Sequence, residues 1–205
     1  MNIVLSPSPL KFLCVGVLAF VAGCSRSDST QTRSPDSTER SASIVVGQLP
    51  SEASKGKMLA AKDALFTRLS GRLMEAMGSQ GPAAAIAVCQ KEAPRIAEAV
   101  GTEQSLRIGR TGVRLRNADN VAPAWAENLV QAKTQTPTFV MLDNGHAAAL
   151  LPIKLQGQCV MCHGPKEQIA PVVQDQLAKL YPNDRATGFK EGELRGWFWI
   201  ELPGG

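Results

Sequence analysis

The clearest chemistry in this sequence sits in Cys159-Val160-Met161-Cys162-His163, two thiols one helical turn apart with an imidazole directly after them. Three tasks suit that set. The thiols can add across the vinyl groups of a porphyrin while the adjacent histidine reaches the iron, as in c-type haem attachment. Joined by Cys89, they supply three cysteines and a histidine for zinc, although neighbouring Cys162 and His163 strain to bind one tetrahedral ion together. The thiols can also form a redox disulfide, but that motif normally opens a helix in a βαβ unit, and here an apparent β-hairpin precedes it.

The start of the chain helps to choose. In "MNIVLSPSPLKFLCVGVLAFVAGC", Lys11 precedes an apolar run from Phe12 to Val21 and then small residues, the layout of an export signal. The run is too short to span a bilayer comfortably. Val21-Ala22-Gly23-Cys24 resembles a bacterial lipobox. Residues 1–23 are therefore expected to be a lipoprotein signal peptide, with Cys24 as the lipidated first residue of the mature chain. Ser25 after it resembles outer-membrane sorting, which predicts a lipid anchor on the periplasmic side of a bacterial membrane. Covalent haem is attached outside the bacterial cytoplasm, so export favours haem over zinc and disulfide. From Ser25 to Ser43 there is no large apolar residue to bury, and residues 24–50 are expected to form a disordered tether. Cys89, Cys159 and Cys162 remain for the folded part, an odd number that leaves at least one thiol without a disulfide partner.

The chain has 205 residues, 44% of them hydrophobic, enough for one core over residues 51–205. Its net charge of +4 is spread over interspersed acids and bases, and aromatics make up only 5%. Neither a basic patch nor a stacking platform for nucleic acid emerges, so no nucleic-acid partner is expected. Met58, Leu65, Leu69, Leu73 and Met77 recur at helical spacing, predicting a long N-terminal helix from Ser51 that ends at Gly78 and Gly81. A second helix is expected from Pro82 to Gly101, kinked or split at Pro94, with Ile86, Cys89, Ala93 and Ile96 on one face. "SLRIGRTGVRLRN" predicts a short strand or irregular segment, and "APAWAENLVQAK" a short helix. Asn144-Gly145 between two apolar runs predicts an antiparallel hairpin whose second strand leads to Cys159. "KEQIAPVVQDQLAKLY" predicts a helix and "ELRGWFWIELP" a closing strand. The sum is an α+β domain on an antiparallel sheet with flanking helices.

A haem iron has a second face. His146, at the expected hairpin tip, reads as solvated. Met161, between the attachment cysteines, cannot reach the opposite side. Met58, Met74, Met77 and Met141 read as core residues. Cys89 is left, either a ligand or simply a small buried hydrophobe.

Four segments in order, "GPAAAIAVCQKEAP", "IGRTGVRLRN", "LPIKLQGQCVMCHG" and "YPNDRATGFKEGELRGWFWIELP", resemble the Tll0287-like haem domain family across most of Lys57 to Pro203. The resemblance implies a PAS-like α+β fold with one covalent haem c, attached through Cys159 and Cys162 and ligated by His163 on one side and Cys89 on the other. Arg110, Arg114, Arg185 and Lys154 are candidates to pair with the haem propionates, Arg110 and Arg185 foremost. An iron with both faces occupied leaves no free position for substrate, so enzymatic activity is not the first expectation. The function expected is redox sensing or low-potential electron transfer with a redox or signalling partner protein. The alternative is a zinc-binding or scaffolding lipoprotein without haem.

Overall fold

The computed structural model of the chain describes residues 41–204. The expected signal peptide, Cys24 and most of the expected tether lie outside them. The expected tether boundary at residue 50 is corrected: Ile44–Val45 forms a strand, β1, so the folded unit begins ahead of Ser51. Its two residues pair with Leu142 and Met141. Tertiary pairing makes this strand, since two residues carry no periodicity of their own.

Next come α1 (Glu52–Gln80), α2 (Pro82–Lys91), α3 (Ala93–Gln104) and β2 (Arg107–Thr111). A single-turn 3-10 helix at Ala124–Ala126 leads into α4 (Glu127–Gln131), followed by β3 (Thr138–Leu142) and β4 (Ala147–Lys154). The chain closes through α5 (Val160–His163), α6 (Pro171–Leu180) and β5 (Leu194–Leu202). The five strands form one antiparallel sheet in the order β1-β3-β4-β5-β2. The fold is α+β, as the sequence predicts.

Ser51 caps α1 by accepting from the Ser54 backbone N–H at 3.1 Å, and the helix runs 29 residues, about 44 Å at 1.5 Å per residue. Gly78 does not end it. Gly81 does, at φ 84°, a conformation that favours glycine. The second predicted helix splits at Glu92 because Pro94, with no N–H to give, suits the first turn of a new helix better than the interior of an old one. The new helix continues past Gly101 to Gln104.

Residues of β4 alternate between the sheet's two faces. Ala147, Ala149 and Leu151 pack with Met58, Ala61 and Leu65 of α1 and Val100 of α3. Ala148 and Leu150 pack on the other face with Trp125, Ala126, Val130 and Trp197. Burial on both faces explains why β4 reads as an unbroken apolar run. At the hairpin only Gly145 has positive φ, and its N–H donates to the Leu142 carbonyl at 2.9 Å. That is a turn closed by a left-handed glycine, since a two-residue type I′ loop would need positive φ at Asn144 as well. Across the sheet, the buried carboxylate of Glu201 accepts from the Trp125 indole at 2.7 Å and from Arg107 at 2.9 Å.

Leu65 is fully buried under the sheet, whereas its neighbour Phe66 is 43% exposed. Leu65→Ala should lower unfolding stability by about 2–5 kcal/mol in urea titrations. Phe66→Ala should cost clearly less in the same measurement.

Candidate functional site

At the end of β4 the ladder shifts register between Ile153 and Lys154, and the Leu155 N–H donates to the Glu193 carbonyl at 3.0 Å. This turns the chain away from the sheet into the 3-10 turn Gly157–Cys159 and then α5. Gly164 ends α5, and a Cβ there would lie 2.5 Å from the Val160 carbonyl oxygen, so only glycine fits. In this single turn Cys159 packs against Leu155, Ala186 and Phe189, and Cys162 against the cluster of Ile86, Ile169 and Tyr181.

His163 is walled in by the irregular segment from Asp184 to Phe189. The Phe189 N–H donates to the His163 carbonyl at 2.9 Å, and the Phe189 ring meets the imidazole edge-on at 6.4 Å between centroids. His163 Nδ1 lies 2.7 Å from the Ala186 carbonyl and 3.3 Å from Arg195 Nε. These contacts demand opposite tautomers, because the carbonyl only accepts and the guanidinium only donates. The shorter contact governs: Nδ1 carries the proton and donates it to Ala186, leaving the lone pair on Nε2. Burial, followed by the charges of Arg116 and Arg195, pushes the imidazole well below its usual pKa and keeps it neutral.

Cys89 faces the same place from α2. A cleft of about 230 Å³ is lined by Cys89, Cys159, Cys162, His163 and Arg110. Leu69, Leu73 and Met77 of α1 form one apolar wall, and Ile153, Leu155 and Phe198 another. Leu73, Met74 and Met77 therefore border the cleft and are not core residues, as Met74 at 55% exposure makes plain. Cys89, Cys159 and Cys162 are all free thiols.

Arg110, Arg116 and Arg195 line the cleft, and no aspartate or glutamate does. Arg116 pairs with Asp184 behind the wall at 3.1 Å, but neither Arg110 nor Arg195 has an ion pair among the described residues. Burial lowers the pKa of Arg110, and burial with repulsion from Arg116 and Arg110 lowers that of Arg195 to about 10. Burial raises the Cys89 thiol, and the three guanidiniums oppose that rise.

Of the residues expected at the site, Cys89, Arg110, Cys159, Cys162 and His163 converge here. Arg114, Lys154 and Arg185 do not line the cleft. Arg114 stacks on Phe189, 3.6 Å from its ring centroid, and donates to the Thr187 carbonyl. Lys154 and Arg185 are exposed, beyond the register shift and on the outside of the 184–189 segment respectively. His146 is half-buried, with Nδ1 enclosed and unpartnered, and not the solvated tip expected. Arg116 and Arg195 were missed. A signal existed for Arg195, as a charge inside the apolar closing strand. No group of three or more His, Cys, Asp or Glu among the described residues is arranged to hold a metal ion, so the expected alternative zinc set is not assembled.

A family model described as Tll0287-like matches residues 27–203. Among solved structures, the cyanobacterial haem protein Tll0287 is similar in fold, with a TM-score of 0.56 and 21% identity over 75% of this chain and 97% of that one. No curated protein sequence matches the chain.

The depressed imidazole has a consequence for the ligand-free chain. The unfolded chain takes up a proton near pH 6.5 that folded His163 refuses, so stability rises with pH across the window between the folded and unfolded values. Lowering the pH from 7.5 to 5.5 should therefore reduce the urea midpoint, with a slope of up to about 1.4 kcal/mol per pH unit. His163→Gln should flatten that dependence.

Proposed function

The chain belongs to the Tll0287-like family, and from that premise we propose that it is an exported, lipid-anchored c-type haem protein used in redox sensing or low-potential electron transfer. The observation that carries the reading is the convergence of Cys159, Cys162, His163 and Cys89 on one cleft. The lining also suits a porphyrin chemically. Apolar walls suit the macrocycle, two free thiols sit on one helical turn, and cations without facing carboxylates suit two propionates.

In this reading Cys159 and Cys162 form the thioethers, and His163 presents Nε2 to the iron while Nδ1–H is held by Ala186. Cys89 would be a further iron ligand, from α2. Arg110 and Arg195 hold the propionates, with Arg116 beside them. Bound haem supplies a one-electron iron couple. The chain's own contribution is to exclude water with the α1 wall, fix the imidazole, and hold or release the proton on Cys89 Sγ. Burial favours the neutral thiol and the three guanidiniums favour the thiolate. The anchor is Cys24, on the periplasmic side of a bacterial membrane with the outer membrane favoured, and the partner is a redox or signalling protein.

Produced with a cytochrome c maturation system, the protein should keep its haem on a denaturing gel, and Cys159→Ala with Cys162→Ala should abolish the stain. A colourless wild-type protein would sink the reading. Cys89→Ala should alter the ferric spectrum. CO should bind the wild type only after reduction if Cys89 is released, and an unchanged low-spin ferric spectrum in the variant would remove Cys89 as ligand.

A further inference from the structure

His163 Nδ1 has two rival neighbours, and the choice between them decides whether Nε2 carries a lone pair or a proton. The Ala186 carbonyl at 2.7 Å requires Nδ1–H, whereas Arg195 Nε at 3.3 Å, acting as a donor, would require a bare Nδ1 and place the proton on Nε2. A protonated Nε2 cannot ligate a metal.

The Ala186 carbonyl is held in place by a buried ion pair. Arg116, 8% exposed, donates from Nε to Asp184 Oδ2 at 3.1 Å and from Nη2 to the carbonyls of Cys162 and Ala186, the latter at 3.3 Å. Asp184 Oδ1 accepts from the Ala186 N–H at 2.8 Å. One carboxylate and one guanidinium thus grip Ala186 by both its N–H and its carbonyl, and the same guanidinium grips the residue before His163. The adjoining backbone is tied down as well, since the Arg185 N–H donates to the Leu115 carbonyl at 2.9 Å.

The geometry points to Arg116 and Asp184 as a positioning pair that selects the Nδ1–H tautomer of His163 against the competing Arg195. Neither residue need touch a ligand to do this. Its consequence for iron ligation rests on the haem reading proposed above, but the tautomer does not. The two can therefore fail separately.

The test is imidazole nitrogen NMR on the ligand-free full chain. Wild type should show His163 protonated at Nδ1. Asp184→Asn, which keeps the shape but loses the charge, and Arg116→Lys, which keeps the charge but offers its donors from a single nitrogen without the guanidinium fork, should both shift it toward Nε2–H. Adding Arg195→Gln to Asp184→Asn should restore Nδ1–H, a rescue that a merely stabilising role would not produce. In haem-loaded protein, Asp184→Asn should keep the covalent haem yet let external imidazole displace His163 at about 10- to 100-fold lower concentration. An unchanged tautomer in folded single variants, or no rescue in the double variant, overturns the proposal. So does failure of both single variants to fold, which would assign the pair to stability.

Discussion

Taking guanidinium groups out of water without matching carboxylates is the constraint on which the cleft depends. Arg110, Arg116 and Arg195 face one cleft, and among the described residues Asp184 is the one acid that pairs with any of them. Arg110 and Arg195 are partly buried and lack an ion pair among the described residues, and burial lowers the pKa of both. An anionic occupant would supply that partner. The same field reaches the two side chains with lone pairs to offer: it adds to burial in keeping His163 neutral and opposes burial at the Cys89 thiol. One arrangement of charge thus acts on both side chains together.

The same helix, α1, serves the core and the cleft in turn. Near the N-terminus of α1, Met58, Ala61 and Leu65 pack on alanines of β4, whose small side chains let the helix lie close. Further along, the register shift at Ile153/Lys154 turns the chain off the sheet, and the same helix stripe overhangs open space. One amphipathic pattern therefore serves first as core and then as cleft wall.

Local features were legible in the sequence and long-range ones were not. The helix break at Pro94, the Asn144-Gly145 turn and the thiol spacing at Cys159 and Cys162 each depend on a few neighbouring residues, and each could be read directly. Cys89 emerged from helical periodicity and then from family resemblance. The arginines divided differently. Arg110 lies on β2 and points where its strand points, but Arg116 follows a loop after Thr111, and its role is set by Asp184, 68 residues away. Arg114, two positions before it, looks equivalent on paper and instead stacks on Phe189. No periodicity distinguishes them, because the chain between residues 112 and 123 has none. β1 was hidden for a related reason: its two residues become a strand only because β3 offers an edge.

The overhanging stripe bears on how ligand and fold depend on each other. Leu69 is buried, but Phe66 and Met74 in the same cleft wall are 43% and 55% exposed, values typical of a surface and not of a core. An apolar ligand in the cleft would cover these side chains and complete the second half of the helix as the sheet completes the first. Its binding energy would then add directly to folding stability, since the unfolded chain has no assembled cleft to bind it. The distribution of cost is accordingly uneven. The β4–β5 sheet and the N-terminal half of α1 satisfy their own packing, whereas the C-terminal half of α1 and the thiol turn meet around a space that protein atoms do not fill, with the Asp184–Phe189 segment packed behind His163. Those elements are the ones whose order a ligand would reinforce, and they are also the ones that carry every candidate ligand or its support except Cys89 and the arginines.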